Sequence, residues 1–246
     1  MKNLFAFVIL IFLALSCNNS DSEKNTNEDQ EGCIDTTTLV EVIPNETLLI
    51  LKPNFSRIDL VCGKMLQKSD SSVILFAEAA YTGELLKEFN HRNIAGDHVS
   101  NGKRENGFRC KRNTGAFVFY KGKWKFCYEP YSDDLDIAAK NGGAGFAQEM
   151  IILDGKQMKT TRKDSNKNQF RALCELKGNL CIIESKRHIT FGDYRKALKM
   201  CGVKNAIYLD MGGGWNYAWY RPNRKEIIDL HKHTHNYCTN WITFYM

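Results

Sequence analysis

The chain has 246 residues, 43% hydrophobic and 25% charged, with a formal net charge of +6. That length buries a sizeable core as one large domain or two small ones, and the composition is that of an ordinary globular protein. Lysine and arginine are spread along the chain rather than gathered in one basic patch, which argues against a nucleic-acid surface; the mild positive charge also suits phosphate-bearing or acidic glycans.

The N-terminus reads as an address. Lys2 precedes an uncharged apolar run from Leu4 to Leu15, too short to span a bilayer comfortably, and Ser16 stands just before Cys17. Leu-Ala-Leu-Ser-Cys resembles a bacterial lipoprotein box. The expectation is a signal peptide over 1–16, lipidation at Cys17 and a polar tether over 17–34, followed by one globular domain over 35–246. Ordinary secretion with cleavage nearby is the rival. The tether, rich in Asn, Ser, Asp and Glu, has too little apolar surface to fold. This predicts an exported protein, lipid-anchored to the bacterial cell envelope. Of the nine cysteines, eight remain after Cys17, an even number that suits disulfides in an exported chain; no Cys-x-x-Cys zinc pattern is present.

Short strands are expected over 47–51, 58–62 and 73–76, broken by Pro-Asn and Ser-Asp-Ser. Residues 90–99 then gather Asn90, His91, Arg92, Asn93, Asp97 and His98 around Ile94 and Ala95. So many donors and acceptors in one loop mark His91, Asn93, Asp97 and His98 as site candidates, with the histidines able to serve as acid, base or metal ligand. A hairpin follows, turning at Lys121-Gly122, with Ala116, Val118 and Tyr120 on one face and Phe117 and Phe119 on the other.

Asp133 and Asp134 open a short helix. The run Gly142-Gly-Ala-Gly resembles a phosphate loop weakly, lacks Gly-Lys-Ser/Thr, and does not support a nucleotide fold. Gln148 and Glu149 precede a strand, 150–153, that ends at Asp154-Gly155, a turn or a site edge. Residues 156–169 read as a mobile polar loop. Strands about a Lys177-Gly178 turn place Cys174 and Cys181 where they could face each other. Arg171, among apolar neighbours, needs an anionic partner if it points inward. A helix runs from Thr190 to Met200, capped by Gly202.

An apolar strand, 206–209, then delivers Asp210 beside Gly212, Gly213 and Gly214. A carboxylate at a strand end, next to backbone without side chains, suits a ligand that approaches the main chain. The aromatic residues Trp215, Tyr217, Trp219 and Tyr220 suit the apolar face of a sugar, and Asn216 and Arg221 are further binding candidates. His231, His233 and His235 share a face at strand spacing; without Asp or Cys at matching spacing, a metal set is not supported. Residues 240–245 form a closing strand. The fold class expected is α+β, with mixed, largely antiparallel sheets and a few flanking helices.

Four segments in order resemble the phosphodiester glycosidase domain, the family of the lysosomal uncovering enzyme. They are Ala79-Ala-Tyr-Thr-Gly with the Asn93–Gly102 loop, Met150-Ile-Ile-Leu-Asp-Gly, Arg171-Ala172, and Gly202 through Gly213. The resemblance covers roughly residues 45–246 and looks most like a lipoprotein branch from Bacteroidetes. Met211 here separates Asp210 from the glycines, Trp215-Asn216 stands where the family has Ser, and Ala172 replaces a Thr. The resemblance implies hydrolysis of a sugar-1-phosphodiester without a cofactor: Asp210 as nucleophile or base, Arg171 as phosphate clamp, Asp97, His98 and Glu149 in acid/base or positioning roles. Asn93, His91, Gly212, Gly213, Trp215, Asn216 and Arg221 would line the substrate. The alternatives are a non-catalytic surface glycan-binding lipoprotein of the same fold, and a metal-dependent hydrolase using His91, His98 and the 231–235 histidines.

Overall fold

The computed structural model describes residues 37–82, 94–107, 111–212, 216–231 and 238–246. Cys17, His91, Asn93, Gly213, Trp215, His233 and His235, with the signal and tether segments, lie outside the described residues. Residues Asp35–Met246 form one compact unit.

Three antiparallel sheets make up this unit. The first has the order β1 (Val40–Ile43), β2 (Leu48–Pro53), β13 (Asn179–Ser185), β12 (Arg171–Leu176), β14 (Val203–Leu209), β10 (Met150–Leu153), β11 (Lys156–Gln157). The second runs β16 (Ile228–Leu230), β15 (Ala218–Tyr220), β4 (Val73–Glu78), β17 (Asn240–Tyr245), β3 (Arg57–Cys62). The third runs β6 (Lys103–Glu105), β5 (His98–Ser100), β9 (Ala144–Gln148), β7 (Gly115–Tyr120), β8 (Lys123–Tyr128). All described strand pairs are antiparallel, so the sheets are not mixed as expected, and the helical part is small: α1 (Ser132–Lys140) and α2 (Phe191–Met200) among the described residues.

The period-two pattern explains the layering. Leu173, Ile182, Ile207 and Leu209 of the first sheet, Leu75, Ile242 and Phe244 of the second, and Phe117, Phe119 and Phe146 of the third meet in one central core. The alternate residues of the first sheet, Ala172, Cys174, Ile183, Ala206 and Tyr208, pack under Phe191, Tyr194 and Leu198 of α2. Ala116 and Val118 turn the other way from Phe117 and Phe119, against Leu135 and Ala138 of α1, as their alternation predicts. Helix α2 starts where Thr190 caps it: the Thr190 hydroxyl accepts the Asp193 N–H at 3.1 Å and donates to the Asp193 carboxylate at 2.8 Å.

The Lys177-Gly178 turn takes φ of +50° and +75°, the left-handed pair that matches strand twist, and it sets Cys174 directly opposite Cys181. Both are free, buried thiols. The glycine run that resembles a phosphate loop is the turn after α1 leading into β9: a Cβ on Gly145 would meet the Phe117 carbonyl at 2.7 Å, so glycine there admits the neighbouring strand. Asp154-Gly155 is the β10–β11 turn.

Candidate active site

The ends of β4, β14, β12 and β13 come together where the first and second sheets meet. The Asp210 N–H donates to the Ala79 carbonyl at 2.9 Å, tying the residue after β14 to the chain just beyond β4. This brings two carboxyl side chains to one place. Asp210 is 3% exposed and Glu78 is fully enclosed. Burial pushes the Asp210 pKa up to about 6, against the Gly212 N–H and the positive charges of Arg162 and Arg171. Burial pushes Glu78 well above the ordinary carboxylate range, and the charge of Asp210 pushes the same way. Burial thus favours the protonated form of both groups, and the Asp210 charge adds to that push on Glu78.

Each is held by its own strand context. The Gly212 N–H donates to Asp210 Oδ1 at 3.2 Å. Asn240 of β17 clips the backbone after Glu78: its Oδ1 accepts the Ala80 N–H at 2.7 Å, and its Nδ2 donates to the Ala80 carbonyl at 2.9 Å. Nδ2 also lies 3.4 Å from Glu78 Oε1. Among the described residues, Glu78 Oε2, Asp210 Oδ2, Arg171 Nη1 and Asn216 Oδ1 are buried polar atoms with no hydrogen-bond partner. Buried polar atoms are nearly always bonded, so this group on adjoining residues makes the spot a candidate for polar contacts beyond those described.

Two arginines flank the pair. Arg171 opens β12 directly across from Glu184 of β13 and is fully buried. Its Nε and Nη2 donate to Glu184 Oε2 at 2.9 and 2.7 Å, and Nη2 reaches the Asn216 carbonyl at 3.0 Å. Burial works to raise the Glu184 pKa, but Arg171 and His231 outweigh it and keep the carboxyl below its usual range. His231 Nε2 therefore donates to Glu184 Oε1, at 2.5 Å. The inward-pointing arginine has the anionic partner its sequence context demanded. That partner takes up the charge expected to clamp a phosphate.

Arg162 is the second cation. Its Nε donates to Glu149 Oε2 at 2.7 Å, and its Nη2 bonds the Tyr81 hydroxyl. Its guanidinium lies 4.0 Å from the centre of the Tyr208 ring and 5.0 Å from that of Phe191, two cation–π contacts with rings set edge-to-face to each other. Glu149 also accepts the Thr160 hydroxyl at 2.6 Å. So Glu149 stands at the site as an anchor for Arg162 and not as a free acid or base.

The remaining candidates fall elsewhere. Asp97 binds Arg104 Nη2 at 2.7 Å and the Gly107 N–H at 3.1 Å, pinning the β5–β6 hairpin. His98 opens β5 with Nδ1 3.2 Å from the Gly96 carbonyl; burial lowers its pKa. Neither residue belongs to the described cluster around Asp210, because a local cation, Arg104, takes the Asp97 charge. Arg221 sits at the opposite end of β4 from Glu78, bonded to the Val73 carbonyl at 3.0 Å and to the Lys68 carbonyl. It is a structural residue of that sheet edge. Trp219 stacks on Phe76 at 5.6 Å in a core cluster, and Tyr217 joins the same cluster, so these rings do not form a sugar platform. Among the described residues no group of three His, Cys, Asp or Glu is placed to hold a metal ion.

Sequence reading missed Glu78, Glu184, Arg162 and Tyr81. A lone carboxylate inside the apolar run 73–80 was the available signal for Glu78.

The fold defined by these three sheets is shared with solved structures. The chain is similar to the catalytic domain of zebrafish N-acetylglucosamine-1-phosphodiester alpha-N-acetylglucosaminidase, in the form auto-inhibited by its pro-peptide. The TM-score is 0.57 at 14% identity, over 85% of this chain and 82% of that one. It is also similar to a hypothetical protein from Synechocystis, with a TM-score of 0.60 at 11% identity, over 83% of this chain and 61% of that one. At these identities the likeness is one of fold. No protein-family model matches the sequence, and no curated protein sequence matches it.

Proposed function

We propose that the protein hydrolyses a sugar-1-phosphodiester, with Asp210 and Glu78 as its two carboxyl groups. The observation that carries this reading is the meeting of two enclosed carboxyl side chains at adjoining strand ends, tied through the Asp210 N–H and the Ala79 carbonyl, with burial raising both pKa values above the ordinary range. Glycoside hydrolysis needs such a pair. The fold likeness to the zebrafish catalytic domain, named for a phosphodiester substrate, supports the same class.

In this mechanism Asp210 takes a proton from water as the water oxygen bonds to the anomeric carbon. The bond from that carbon to the phosphate oxygen breaks, and its electron pair stays on the oxygen. Glu78 supplies a proton to the leaving phosphomonoester, and the pair then re-equilibrates with solvent. Arg162, whose side chain is 15% exposed, is the cation that meets the phosphate. Arg171 acts as a positioning residue, holding the Asn216 carbonyl beside Asp210.

The test is release of phosphomonoester from a panel of sugar-1-phosphodiesters by the purified protein. Turnover that Asp210→Asn abolishes supports the reading. Glycan binding without turnover would replace it with the binding-protein alternative. Export and lipid anchoring through Cys17 are part of the proposal and rest on the N-terminal pattern; labelled palmitate entering the wild type but not Cys17→Ser in cells checks them.

A further inference from the structure

A cleft of about 320 Å³ opens beside Arg162, lined by Arg112, Lys163, Asn166, Asn168 and Phe191 among others. Its walls come from distant parts of the chain: the segment before β7, the segment after β11, and the first residue of α2. The charged side chains that line it are all cations, Arg112, Arg162 and Lys163. The nearby carboxylates are turned to other work. Asp164 accepts the Gly192 N–H at 2.7 Å at the start of α2, Asp193 accepts the Thr190 hydroxyl, and Glu149 holds Arg162 and Thr160. Arg162 is ion-paired with Glu149, whereas Arg112 and Lys163 have no ion-pair partner among the described residues. Like charges gathered around a concavity repel one another, and an anion in their midst relieves that cost.

Arg162 connects this cleft to the chemistry. It lines the cleft, and its Nη2 bonds the hydroxyl of Tyr81, two residues beyond Ala79, whose carbonyl accepts the Asp210 N–H. A substrate bound across it would have its scissile bond at the carboxyl pair and its other half among Arg112, Lys163 and the Asn166 and Asn168 amides.

We infer that the cleft binds the leaving-group half of the substrate, and that this half carries a second phosphate-type anionic group beyond the scissile phosphodiester. The inference rests on the proposed hydrolase reading and specifies its substrate class. Arginine forks and lysine ammonium groups recognise phosphate oxygens through charge-assisted bonds, and the amides supply further donors.

The test uses the full chain in two arms. In the first, inorganic pyrophosphate is titrated calorimetrically into the wild type, the Arg112→Ala/Lys163→Ala double variant and the charge-conserving Arg112→Lys. The inference expects binding to the wild type, weakening by about 10-fold or more in the double variant, and near-retention in Arg112→Lys, at unchanged thermal midpoints. No binding to the wild type, or equal binding to the double variant, overturns it. In the second arm, a hexose 1-(methyl phosphate) is compared with a hexose 1-phosphodiester of glycerol 3-phosphate. The double variant should raise KM about 10-fold for the second substrate only. Hydrolysis of both with no selective loss removes the cleft assignment and leaves the hydrolase standing. Hydrolysis of neither, with pyrophosphate binding lost in the double variant, removes the hydrolase reading and leaves the anion site.

Discussion

Asp210 donates its main-chain N–H to the Ala79 carbonyl at 2.9 Å, and this bond brings the carboxyl groups of Asp210 and Glu78 together from two different sheets. Asp210 follows β14 of the first sheet, and Glu78 ends β4 of the second. Both are enclosed, and the charge of Asp210 adds to burial in raising the Glu78 pKa.

Keeping Asp210 buried costs stability once it ionises. Its folded pKa, about 6, lies above the 3.8 of an ordinary Asp. Below the ordinary value both folded and unfolded states are protonated and there is no penalty. The penalty grows as pH rises through this window and is complete above the folded value, at on the order of 3 kcal/mol. Asp210→Asn should therefore match wild-type stability near pH 4 and exceed it at pH 7.5. Denaturant melts at both pH values check this, and a variant that is less stable at pH 7.5 would show that the carboxylate is satisfied by bonds rather than strained by burial.

Arg171 and Glu184 form a directly opposed, fully enclosed ion pair. Arg171→Met leaves Glu184 charged and buried with only His231, and should cost about 3–5 kcal/mol in urea unfolding. Replacing both residues by Met should recover much of that loss. A single-variant cost below about 1 kcal/mol would place the pair in contact with solvent.

Asn240 fixes the backbone that follows Glu78 through both the Ala80 N–H and the Ala80 carbonyl. Asn240→Ala removes both bonds and should destabilise the protein by about 2 kcal/mol, with loss of turnover beyond what the unfolded fraction explains. Activity measured at a temperature where the variant is fully folded separates the two effects.

Much of the architecture is legible in the sequence because it is local. Lys-Gly pairs between alternating runs specify hairpin turns, and the turn then sets register, which is why Cys174 meets Cys181. Alternation over 116–119 assigns each side chain to its layer. Asp210 and Arg171 were visible as polar residues at the ends of apolar runs. Glu78 was not, since its carboxyl takes on meaning only when a second sheet brings Asp210 beside it. Arg162 lies in a polar stretch that reads as a mobile loop; its contacts with Glu149, Tyr81 and the Tyr208 and Phe191 rings hold it in place. Asp97 and His98 misled for the opposite reason. Their polar density is real but closes locally on Arg104 and Gly96.

The pH–rate profile of hydrolysis tests the central claim most directly. With a sugar-1-phosphodiester substrate, kcat/KM should rise with pH through about 6 as Asp210 ionises, and fall at higher pH as Glu78 gives up its proton. Glu78→Gln should lose the alkaline limb, and Asp210→Asn should reduce kcat by about 10²-fold or more. A wild-type profile without the acid limb near pH 6, or full turnover by Asp210→Asn, would contradict the assignment of these two residues as the working pair.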